Sequence, residues 1–117
     1  MQDQFLYEYA IIRVVPRVER EEFLNVGVIL YSKQLKYIDC IYRLNESRIQ
    51  SVFGEIDLME VEQFLRAFER ICKGLPDSGP IGKLDIPSRF RWLTATRSTV
   101  IQTSKVHPAF CSDPRQA

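Results

Sequence analysis

The chain has 117 residues, 45% of them hydrophobic and 26% charged, the balance of one globular domain around one core and not of a disordered or membrane-spanning chain. Sixteen basic side chains meet fifteen acidic ones, and a formal charge of +1 excludes a global field that would gather nucleic acid or an anionic membrane surface. Met1-Gln2-Asp3-Gln4 lacks the basic start and apolar stretch of a secretory signal, and no apolar run is long enough to cross a bilayer, so the expected location is cytoplasmic.

Phe5 to Val15 is aromatic and β-branched and closes on Pro16, which predicts a first strand. Val26 to Tyr31 and Tyr37 to Tyr42, separated by the polar turn Ser32-Lys33-Gln34, predict the second and third strands of a meander. Gly27 within the second run signals a bulge or a close backbone approach. The preceding Asn25 suits an amide that holds backbone where the strand begins.

Asn45 to Val52 suits a short helix, and Asp57 three residues before Glu60 marks the start of a longer one. In that helix Leu58, Val61, Phe64, Leu65, Phe68, Ile71 and Cys72 recur every three or four residues, and Gly74 ends it. Gly74 to Pro87 carries repeated glycine and proline breakers, which predicts a long irregular surface connection. Arg89 to Ala95 fits a helical turn or a strand equally well, whereas Ser98 to Thr103 alternates and is β-branched, a fourth strand. Asp113-Pro114 has the composition of a helix start. The widely spaced Cys40, Cys72 and Cys111 are expected to be free thiols. The expected fold is α+β: a single domain over residues 1–117, with an antiparallel sheet of about four strands in the order β-β-β-α-α-β and helices packed on one face.

The charges are unevenly placed, from −3 over residues 45–80 (four basic, seven acidic) to +4 over residues 81–117 (six basic, two acidic). The basic final third either neutralises the acidic helix of the same domain, the preferred reading, or meets an acidic partner. Between the first two strands Arg17, Glu19, Arg20, Glu21 and Glu22 crowd together, which a solvated turn accounts for best. Two other readings stand beside it. A pair of carboxylates near an arginine can serve acid–base chemistry when burial raises one pKa toward neutrality, and Arg13, Arg17 and Arg20 together can hold a phosphate or carboxylate. Arg89, Arg91 and Arg97 interleave with Trp92 as in nucleic-acid binders, although Phe90 and Trp92 suit a core. Gly79-Pro80-Ile81-Gly82-Lys83 lacks the spacing and the Lys-Ser/Thr ending of a phosphate loop. His107 and Cys111 stand four apart with Pro108 between them and no second ligand pair, so neither a metal nor a cofactor is expected.

Tyr9 through Leu30, with Ala10-Ile11-Ile12-Arg13-Val14-Val15-Pro16 and Phe23-Leu24-Asn25-Val26-Gly27-Val28-Ile29, strongly resembles the bacterial family called Domain of Unknown Function 3037 (DUF3037). Gly79-Pro80-Ile81-Gly82, Arg89-Phe90-Arg91-Trp92-Leu93, Arg97-Ser98-Thr99-Val100, His107 and Cys111-Ser112-Asp113-Pro114 are similar to its later motifs in the same order. In that family a Leu-rich helix follows the Asp-Pro; here Arg115-Gln116-Ala117 remain, so the resemblance implies a short or absent C-terminal helix. It also implies a protein partner, a HipA-like serine/threonine kinase encoded beside family members. The expected function is therefore a non-enzymatic interaction or accessory module, with Arg13, Arg17, Arg20, Glu22, Asn25, Arg89, Arg91, Arg97 and His107 as its candidate binding residues. Homodimerisation is a further way to cover the edges of a small sheet. The competing reading is a small enzyme or nucleic-acid-binding domain that uses the Arg/Glu cluster, His107 and the basic final third. An enzyme predicts those groups in a concave pocket, and a binding module predicts them on a flat face.

Overall fold

The computed structural model describes residues 5–15, 22–54, 56–95 and 99–111. Alternation along Phe5–Val14 (β1) sends Ala10, Ile12 and Val14 to one side, where they are fully buried, and Tyr7, Tyr9, Ile11 and Arg13 to the other, where they are partly exposed. β1 pairs antiparallel with Leu24–Ser32 (β2), which pairs antiparallel with Tyr37–Tyr42 (β3). On its other edge β1 meets two short antiparallel strands, Ile101–Thr103 (β4) beside its C-terminal half and His107–Cys111 (β5) beside its N-terminal half.

Ser104 joins those two pieces. Its backbone N–H donates to Ile11 O at 2.8 Å, and its hydroxyl accepts from Ile11 N–H at 2.9 Å, so the side chain supplies the acceptor where the neighbouring strand breaks. A second irregularity lies across β1, where Ile12 pairs with Gly27 and Arg13 with Asn25, leaving Val26 as an extra residue in β2. The bulge shifts the alternation: Leu24 and Val26 point inward on one side of it, Ile29 and Tyr31 on the other.

Among the described residues four helices connect β3 to β4: Glu46–Phe53 (α1), Leu58–Lys73 (α2), Gly79–Gly82 (α3) and Ile86–Thr94 (α4). Asn45 caps α1 by accepting from Arg48 N–H, and Asp57 caps α2 by accepting from Glu60 N–H, both at 3.1 Å. Gly74 closes α2 in the left-handed region (φ 63°), with Leu75 N–H reaching back to Arg70 O. Val61, Leu65, Phe68 and Cys72 of α2 and Phe90 and Leu93 of α4 pack on Ala10, Ile12, Val14, Ile29 and Cys40. The fold is α+β, with the helices on one face of an antiparallel sheet.

Gly74 to Pro87 is not the irregular connection its composition suggests. Proline and glycine there start helices: Pro80 lies in the first turn of α3, and Pro87 in the first turn of α4, where a missing N–H loses no partner. Asp85 caps α4 by accepting from Ser88 N–H at 2.9 Å, and this settles Arg89 to Ala95 as mostly helix. The expected fourth strand contracts to Ile101–Thr103, and β5 adds a fifth. Pro108 obscured β5, yet a proline is tolerated there because the strand lies at the sheet edge. The order among the described residues is β-β-β-α-α-α-α-β-β. Asp113-Pro114 lies outside the described residues.

Candidate functional site

The second face of the sheet carries no helix among the described residues, and the register arranges its side chains in rows across the strands. Gln102, Arg13 and Asn25 form one row. Ile11, Val28 and Ile41 form the next, then His107, Tyr9, Leu30 and Asp39, with Ala109 and Tyr7 beyond. Ile41, on the edge strand β3, is 70% exposed on this face. The rings of Tyr7 and Tyr9 lie 6.0 Å apart and those of Tyr9 and His107 5.4 Å apart, all tilted, giving a continuous aromatic strip. At the other end the Arg13 guanidinium sits 4.2 Å from the centre of the half-exposed Phe23 ring, and its buried Nε has no hydrogen-bond partner among the described residues.

The candidate residues of the sequence reading separate into several places. Arg13, Asn25 and His107 share the open face, and Glu22 is exposed just before Phe23. Arg17, Arg20 and Arg97 lie outside the described residues, as do Glu19 and Glu21. Arg89 is half-buried under the end of α2, its Nη1 donating to Leu84 O at 2.7 Å, while Arg91 is exposed. Two residues apart on one helix, these arginines diverge and do not form a shared basic surface. The internal charge pairing expected of the basic final third is not found among the described residues. The ion pairs there join Glu62 to Arg66, Glu69 to Lys73 and Asp77 to Arg70, partners close in sequence on α2 and the turn after it.

Among the described residues, two cavities stand out on the helical side. One of about 250 Å³ is walled by Phe64, Phe68, Trp92, Leu93 and Ile101. The other, of about 500 Å³, lies between the β2–β3 hairpin and the start of α4. Arg13, Glu22 and His107 line neither. His107 and Cys111 are the two ends of β5, about 13 Å apart by the rise of an extended strand. Cys40 and Cys72 are buried free thiols. A hydrogen bond between them, followed by burial, pushes the Cys72 thiol upward, so it stays protonated and unreactive.

Tyr7, Ile11, Val28, Leu30 and Ile41 were not singled out by the sequence reading. Their signal was the apolar character of both alternating sets in β1, which marks a strand with two apolar faces. The fold and this surface define a class: an α+β protein with one helical layer and an open, aromatic sheet face. The chain belongs to the family described as protein of unknown function DUF3037, whose model matches residues 9–117. No curated protein and no solved structure matches it. None of the helices among the described residues is long and apolar enough to cross a membrane.

Proposed function

We propose that this protein is a non-enzymatic interaction module that docks a protein partner on its open sheet face. The observation that carries this reading is the apolar row of that face, exposed Ile41 on the edge strand beside half-buried Val28 and Ile11, flanked by Tyr7, Tyr9, His107 and Arg13. Aromatic and arginine side chains beside exposed apolar ones are the composition of binding surfaces. Arg13 and His107 share the open sheet face and line neither of the cavities described above, which favours binding over acid–base chemistry. The partner we infer is the HipA-like kinase implied by the family resemblance, with cytoplasmic assembly as its setting.

The test is calorimetric titration of the chain with the purified HipA-like kinase of the same genome, alongside sedimentation of the chain alone. A saturable complex that Ile41→Asp weakens about ten-fold or more is the expected result. Absence of a kinase complex removes the kinase as partner. If the chain instead self-associates through the same face, a second copy is the occupant; binding that Ile41→Asp leaves unchanged overturns the surface assignment.

A further inference from the structure

We propose that the cleft between the β2–β3 hairpin and the start of α4 binds an amphipathic organic anion, an apolar body carrying an oxyanion head group. Its volume, about 500 Å³, is that of a small-molecule site. Tyr31, Ile86 and Pro87 supply an apolar wall; Lys33, Lys36 and Arg89 stand against one lining carboxylate, Asp85, with Glu8 paired across from Tyr31 behind the lining. That carboxylate is engaged in capping α4 through Ser88 N–H. Neither Lys33 nor Lys36 forms an ion pair among the described residues, so both ammonium groups are available to an anion. Arg89 is held at the rim by Leu84 O.

Two further observations point to a ligand. Tyr31 is only 5% exposed, its ring packed on Phe90 at 4.9 Å, and its hydroxyl makes no hydrogen bond among the described residues although the residue lines the cleft. Lining the cleft with no protein partner among the described residues, that hydroxyl is free to donate to a bound acceptor. Burial and then the charge of Glu8 hold the phenol protonated, hence a donor. Lys36 adopts a left-handed backbone (φ 50°), a conformation that glycine or asparagine adopts at lower cost, at a position that lines the cleft.

The test is fluorescence titration with 8-anilinonaphthalene-1-sulfonate, compared with the uncharged N-phenyl-1-naphthylamine of nearly the same body. Saturable one-to-one binding of the sulfonate is expected, about ten-fold or more tighter than the neutral probe and displaced by phenyl phosphate or benzoate. Replacing both Lys33 and Lys36 with Ala should weaken it by a similar factor, and Tyr31→Phe should weaken it with the fold intact by circular dichroism. Lys36→Gly gives an independent reading, a raised melting temperature together with weaker binding. Equal affinity for the two probes, no displacement by either acid, or unchanged binding in the double lysine variant overturns the proposal. So does loss of the signal in Ile41→Asp, which would place the probe on the open sheet face.

Discussion

Gly27 is fixed by its neighbours and not by its own dihedral angles. A Cβ there would run into Ile41 O and lie 2.7 Å from Tyr42 Cβ, both on the paired strand β3. Gly27→Ala should therefore cost about 1–3 kcal/mol, the range for overpacking against atoms that cannot move aside. Urea unfolding measures it, and wild-type stability in that variant would refute the close approach. The constraint was legible in sequence, because a glycine inside a β-branched run weakens the strand unless a bulge or a close backbone approach requires it. Ser104 was not legible. Its hydroxyl serves Ile11 N–H from 93 positions away, and nothing near Ser104 in the chain marks that partner. Ser104→Ala leaves a part-buried N–H without its side-chain acceptor, a loss of about 1–3 kcal/mol to be seen in the same assay, with faster amide exchange at Ile11.

The helices owe their ends to short-range chemistry. Asn45, Asp57 and Asp85 each accept a hydrogen bond from the N–H three residues on, and Gly74 takes the left-handed position after α2. Asp85 makes one of these caps sensitive to acid. Hydrogen bonds from the Ser88 side chain, then from its backbone N–H, hold the Asp85 carboxyl below its ordinary value in the folded chain. A lowered folded-state pKa means that the stabilisation is complete above the unfolded value, about 4, and disappears as the pH falls through the folded value. Between pH 7 and pH 3 the wild type should therefore lose more stability than Asp85→Asn, whose amide oxygen still caps but does not titrate. Parallel urea curves for the two at both pH values check this; equal losses would remove the cap from the acid response. The same segment shows why the start of α4 resembles a loop in sequence: proline counts as a breaker in composition but as a starter in the first helical turn, and only the Asp85 cap distinguishes the two.

For the molecule as a whole, the decisive asymmetry is between the two faces of the sheet. Ile29 and Ile41 are both strand isoleucines, yet Ile29 is fully buried under the helices and Ile41 is largely exposed. Ile29→Ala should cost about 2–5 kcal/mol, whereas Ile41→Asp should leave stability within about 0.5 kcal/mol of the wild type. Thermal melts of the pair measure the difference, and a strongly destabilised Ile41→Asp would mean that the open face is part of the core. By itself the sequence determined the first three strands, α2 with both of its caps, the special role of Gly27 and the family, because each rests on preferences acting within a few residues. Only the tertiary structure decided which apolar face of β1 the helices cover, since one extra residue at Val26 switches the inward set from Leu24 and Val26 to Ile29 and Tyr31. It also decided that β4 and β5 share one edge of β1, that Arg13 and His107 share one face of the sheet, and that the hairpin lysines meet the start of α4. Those juxtapositions join residues far apart in the chain, and they follow from packing the whole core at once, which no local propensity encodes.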